Sequence, residues 1–143
     1  MDLFATLLAD GWSAVLRGDT EAASRLFRHV AEEEPRRVDA WNGLGATFFE
    51  KGDIKQSVKC YERALTLAKV EFGGTFPSKL PWTEQNKPTL RALKGIGLNH
   101  FRAGALDEAR RSFEELLKFD PADKQGVRFL IEDLKKGKKL WKK

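Results

Sequence analysis

The chain has 143 residues, 33% of them charged and 41% hydrophobic, a size and composition expected of one globular domain. No apolar run approaches the roughly 18 residues of a membrane-spanning helix, and a single cysteine, Cys60, rules out an internal disulfide. The net charge of +5 is concentrated at one end: residues 124–143 carry +6 and the remainder −1, so the body of the chain is nearly neutral.

The first residues have an acid at Asp2 and no basic lead-in, which makes a poor signal peptide and a cytoplasmic location the expectation. A helix is predicted over about 2–17, with Phe4, Leu7, Leu8, Trp12, Val15 and Leu16 forming an apolar surface wider than one packing stripe. Gly18 ends it and Asp19 caps the next helix, whose Ala23, Leu26, Phe27 and Val30 face inward until Pro35 closes the unit. Trp41, Leu44, Gly45, Phe48, Gly52, Val58, Tyr61 and Ala64 then repeat the pattern at spacings of three and four on either side of a Gly-Asp break, writing a second antiparallel helix pair. Asp53 and Gln56 have the spacing of a reciprocal capping box. The glycines at 43 and 45 do not make a dinucleotide loop, since they follow no strand and lack a third glycine.

Residues 70–88 are an insertion. Gly73, Gly74, Pro77, Pro81 and Pro88 forbid a continuous helix, while Phe72, Phe76, Leu80 and Trp82 give it apolar surface with which to fold back onto the rest or to stand as a contact loop beside a binding surface. A third pair starts after Pro88 with Leu93, Ile96, Gly97, His100, Gly104, Ala109, Phe113 and Leu116, and ends at Pro121. His100 is expected to be a core residue; with only His29 for company no metal or catalytic role is expected, nor any cofactor. Asp123 is predicted to cap a last helix to about 136, with Val127, Leu130, Ile131 and Leu134 inward.

These units are copies of one another. Sliding the chain by 34 residues pairs Gly45 with Gly11, Gly52 with Gly18, Asp53 with Asp19 and Tyr61 with Phe27; sliding by 52 pairs Gly43 with Gly95, Gly45 with Gly97, Gly52 with Gly104 and Tyr61 with Phe113. The residues resemble the tetratricopeptide repeat, a 34-residue helix-turn-helix unit with a Trp, Leu-Gly, Tyr, Ala, Phe, Ala, Pro signature. The resemblance implies an all-α fold: a right-handed superhelical stack of three repeats (about 4–37, 38–69 and 90–123), an 18-residue insertion between the second and third, a capping helix over about 123–137 and a basic tail over 138–143. The segments Asn86–Ala92 and Asp120–Arg128 further resemble paired features of small bacterial tetratricopeptide proteins, which end in Asn-Pro-x-Asp-Asn-Gln-Gly-x-Arg.

In such a stack the first helix of each pair lines a concave groove that holds a peptide or partner helix. Phasing the repeats together puts Leu8, Trp12 and Leu16 on the groove from the first helix, and Asn42, Ala46 and Phe49 from the third. The fifth contributes Arg91, Lys94, Leu98 and Phe101, and the last helix Arg128 and Glu132. The groove is then apolar at one end and basic at the other, suited to a non-enzymatic interaction module whose partner carries an acidic residue or C-terminal carboxylate. The carboxylate clamp of chaperone-binding members of the family is not expected, because its positions hold Leu8, Trp12, Gly43, Arg91 and Gly95. Leu8, Trp12 and Leu16 also form a stripe that a second copy of the chain, a partner helix or the insertion is expected to cover. The alternative function is nucleic-acid or anionic-surface binding through the Lys-rich end, which has the charge but one aromatic, Trp141.

Overall fold

The computed structural model describes residues 2–138. Among them are seven α-helices and no strand: α1 Leu3–Leu16, α2 Thr20–Glu33, α3 Val38–Glu50, α4 Ile54–Glu71, α5 Lys87–Arg102, α6 Leu106–Phe119 and α7 Val127–Lys135. None is long and apolar enough to cross a membrane. The helices pair antiparallel as α1/α2, α3/α4 and α5/α6, the first helices also touch in the order α1, α3, α5, and α7 packs on α6. The fold is an all-α helical-repeat stack.

The turn inside each pair is made once and repeated. Gly52 sits at φ +80°, a left-handed conformation that lets the Asp53 N–H reach back to the Phe48 carbonyl at 2.9 Å; Gly18 and Gly104 make the same turn. Asp19 and Asp53 then cap α2 and α4, accepting from the N–H groups of Ala22 and Gln56 at 3.1 and 3.2 Å. The predicted capping box is only half formed, because the Asp53 N–H is already committed to Phe48 and Gln56 has nothing to return to. At α6 the capping position holds Ala105, which has no side chain able to accept.

The core is built from aromatic rings inserted between glycines. Phe27 is fully buried against Gly11 of its own pair and Gly43 of the next, and Tyr61 lies in the same way between Gly45 and Gly95. A Cβ on Gly43 would stand 2.3 Å from the Phe27 ring, and one on Gly95 2.4 Å from Tyr61, so these positions are small because a neighbouring ring occupies the space. Polar groups tie the same helices. The Ser57 hydroxyl donates to the Gly45 carbonyl at 2.6 Å, and Asn99 donates to both Ser57 and the Gly95 carbonyl at 2.9 Å, all buried.

The segment between α4 and α5 lies against α6. The Leu80 N–H donates to the Phe119 carbonyl at 2.8 Å and the Lys79 ammonium to the Lys118 carbonyl at 2.9 Å, so two carbonyls left over at the end of α6 are satisfied there. Phe76 packs edge-on between Phe72 and Phe119. The insertion therefore folds back on the repeats, but at α6, and does not cover α1. The α1 stripe is reduced by another route: Leu8 is 6% exposed within the α1–α3 core and Trp12 packs edge-to-face on Phe27 at 5.2 Å, leaving Leu16, at 89%, as the exposed member.

The turn before α7 is closed by its own side chains. Asp123, at φ +54°, accepts from the N–H groups of Val127 and Arg128 at 2.7 and 3.1 Å, and Asp120 accepts from Lys124 at 3.1 Å. Helix α7 starts at Val127 and buries Val127, Ile131 and Leu134, as the spacing predicts. Its outer face is less polar than a solvating cap requires, because Phe129 is 78% exposed. The predicted tail beyond Lys138 lies outside the described residues.

Candidate binding groove

Where α1, α3 and α5 run side by side, small residues leave room between them. Ala46 and Gly95 face a cavity of about 450 Å³ whose walls are completed by Trp12, Asn42, Tyr61, Leu98, Arg91, Lys94 and Gln125. Trp12, Ala46, Tyr61 and Leu98 make the apolar part. Asn42, 1% exposed, is fixed by donation from its amide to the Pro88 carbonyl at 2.9 Å, which ties α3 to the start of α5; its Oδ1 is buried without a hydrogen-bond partner.

The two cations in the wall are held differently. Lys94 is half-buried and donates to the Gln125 main-chain carbonyl at 3.0 Å, while the Gln125 amide donates to Leu90 at 3.0 Å, so this loop closes one end of the cavity. Burial holds the Lys94 ammonium below the usual lysine range, an effect that nearby Asp123 opposes. Arg91 is exposed, its guanidinium over the Trp82 ring at 5.7 Å. No Asp or Glu is among the lining residues.

Of the predicted groove residues, Trp12, Asn42, Ala46, Arg91, Lys94 and Leu98 come together here. Leu8, Phe49 and Phe101 do not line it: they are 6%, 8% and 4% exposed. The cause is helix contact. Leu8 is taken into the core shared by α1, α2 and α3, the Phe49 ring is covered by the Arg102 guanidinium of α5 at 5.2 Å, and Phe101 joins the α5–α7 core. Leu16 lies outside the cavity, in solvent. Arg128 is also absent from its wall, because it pairs with Asp123 at 3.6 Å and donates to the Pro121 carbonyl at 3.1 Å; Glu132, the other groove residue predicted on the last helix, is absent as well and faces Lys135 at 3.9 Å.

Tyr61, Gly95 and Gln125 are additions to the predicted set. Tyr61 has the spacing of a core residue and is one, yet the cavity reaches its ring between Ala46 and Gly95. Gln125 sits in the Asp120–Arg128 segment that the sequence marks out, where its neighbours Asp123 and Gly126 shape the loop.

Elsewhere, Cys60 is buried, and desolvation, with Asp53 adding to it, pushes its thiol up to about 11, the opposite of what a reactive thiolate needs. Among the described residues no group of three or more His, Cys, Asp or Glu is arranged to hold a metal ion.

Helix pairs that repeat one glycine–aromatic joint and leave a groove along their first helices define a helical-repeat protein. Residues 38–69 match the tetratricopeptide repeat family, so the chain is an all-α protein carrying a tetratricopeptide repeat. It is similar to Protein CTR9 homolog of Arabidopsis thaliana, 29% identical over 117 residues, 82% of this chain and 9% of that protein. It is also similar to Tetratricopeptide repeat protein 5 of Bos taurus, 38% identical over 47 residues (33% of this chain, 11% of the relative). The human protein of the same name is 39% identical over 44 residues (31% and 10%). The chain thus spans about a tenth of the length of these curated relatives.

Proposed function

We propose that the chain is a non-enzymatic interaction module whose three repeats, over about 4–37, 38–69 and 90–123, wind into a right-handed superhelix. On this reading its concave groove binds a peptide or partner helix, seating an acidic side chain or C-terminal carboxylate against Arg91 and Lys94. The observation that carries the reading is the cavity itself: it spans three first helices, has an apolar wall of Trp12, Ala46 and Leu98, and includes two cations and no carboxylate. Arginine suits an anion because its planar fork can make two parallel hydrogen bonds to one carboxylate. The tetratricopeptide relatives support a protein partner, and the groove chemistry favours one that carries an anionic group. Self-association through α1 has less support, with Leu8 buried, Trp12 half-buried in the cavity wall and Leu16 alone left exposed on that stripe.

The test is affinity for the partner recovered by pull-down, compared among wild type, Arg91→Ala and Arg128→Ala. Arg91→Ala is expected to weaken binding by about 1.5 to 3 kcal/mol, the scale of a hydrogen bond to a charged group, with the thermal midpoint unchanged. Arg128→Ala is expected to leave affinity as it is, since that guanidinium serves Asp123 and Pro121. Wild-type affinity in the Arg91 variant would return the groove to its apolar residues. A steep salt dependence that survives both substitutions would instead favour phosphate binding through the Lys-rich end.

A further inference from the structure

We propose that Trp82, in the insertion between α4 and α5, is a positioning residue for Arg91, so that the insertion forms part of the binding site rather than a spacer; this rests on the groove reading above. Two cations one helical turn apart face the same indole, Lys87 at 5.5 Å and Arg91 at 5.7 Å from its centroid. Their situations differ. Lys87 forms an ion pair with Glu84, and that hydrogen bond holds the Glu84 carboxyl below the usual range. The Arg91 guanidinium makes no hydrogen bond or ion pair among the described residues and feels Glu84 only as a more distant charge.

The choice of an indole has a chemical consequence. A carboxylate would fix the Arg91 guanidinium but would also cancel its charge and occupy its N–H groups. An aromatic face attracts the cation through its quadrupole and leaves the edge donors of the fork available to an anion in the cavity. Trp82 can do this because its segment is pinned on both sides, by the Leu80 N–H to the Phe119 carbonyl at 2.8 Å and by the Asn86 amide to the Pro81 carbonyl at 2.8 Å. A long, exposed side chain held in place beforehand loses less rotamer freedom when a ligand arrives.

The experiment compares Trp82→Leu, which keeps apolar bulk but has no aromatic face, with Trp82→Phe, which keeps the face, after thermal melts show that both fold. Two quantities are read: the order of the Arg91 Nε–H by ¹⁵N relaxation, with no ligand present, and affinity for a library of capped peptides built from Leu, Phe and Glu, set against its Gln-for-Glu counterpart. Trp82→Leu is expected to lower the Arg91 order and to weaken Glu-peptide binding roughly two- to fivefold, the scale of an exposed cation–π contact, while Gln-peptide binding stays unchanged. Trp82→Phe is expected to preserve both. Unchanged Arg91 order in Trp82→Leu, or equal loss of Glu and Gln peptides, overturns the positioning role while leaving the groove reading in place. A wild type that does not prefer Glu over Gln peptides overturns the groove reading and this proposal with it, and the ligand-free relaxation measurement tells that failure from the first.

Discussion

At the scale of single residues, Phe27 and Phe113 do the same work in the first and third pairs. Each is fully buried, and each has a glycine of its own first helix against its ring, Gly11 and Gly97. The glycine cannot be enlarged without moving the ring, and the ring cannot be removed without leaving a hole. Phe27→Ala and Phe113→Ala should each cost about 3 to 5 kcal/mol, a large part of the 5 to 15 that holds a domain together. Gly43→Ala should cost about 1 to 3 kcal/mol from the opposite fault, overpacking against Phe27. Urea titrations of the three variants check both values, and an unshifted midpoint in any of them would show that the joint is looser than its geometry. These positions are legible in the sequence because the repeat spacing states them two or three times. Phe49 and Phe101 are not, since their phase along the helix is right for the groove and only the crossing of α3 by Arg102, and of α5 by the α6–α7 layer, buries them.

At the scale of the helix, the three inner turns invite a comparison in which backbone is constant and side chain varies. Asp19, Asp53 and Ala105 precede α2, α4 and α6 with φ, ψ of −87°, 78°; −88°, 80°; and −83°, 72°. The first two accept a helix N–H and the third does not. Because the backbone at Ala105 already has the capping conformation, Ala105→Asp should add the missing bond without strain and raise stability by about 1 kcal/mol. It should also do so less at acid pH, where the new carboxylate is protonated. Thermal melts at neutral and acid pH measure this, and a neutral or destabilising result would mean that the α6 terminus is satisfied in some other way. Sequence reading recovers the helices and their ends closely, because glycine and aspartate punctuate them. It leaves open where the insertion goes: Phe72, Phe76, Leu80 and Trp82 announce that the segment packs, but the surface that receives it is the end of α6, more than 30 residues further along the chain.

At the scale of the molecule, packing is arranged in three clusters along the stack. One joins α1, α2 and α3 around Phe27, another joins α5, α6, α7 and the insertion around Phe113 and Leu80, and a small one around Tyr61, Ala64 and Ala92 lies between them. A linear stack is stable as the sum of its units and of the interfaces between neighbours, so the middle interface decides whether the two ends unfold together. Tyr61 is the largest buried member of that interface, set between Gly45 on one side and Gly95 on the other. Removing it should therefore do more than lower stability. In Tyr61→Ala the coupling is lost, and the transition should broaden and separate, the first pairs unfolding apart from the last. Tryptophan reporters are available on both sides, Trp12 in the first cluster and Trp82 in the last; variants that keep only Trp12 or only Trp82, with the other three tryptophans including Trp41 and Trp141 replaced by Phe, leave each side to be followed alone. The expected result is coincident urea curves for the two reporters when Tyr61 is present and curves with different midpoints, each of lower slope, when it is Ala. Coincident curves of unchanged slope in Tyr61→Ala would show that Ser57 and Asn99, which link α4 to α3 through the Gly45 carbonyl and α5 to α4 through the Asn99–Ser57 bond, carry the coupling without the ring.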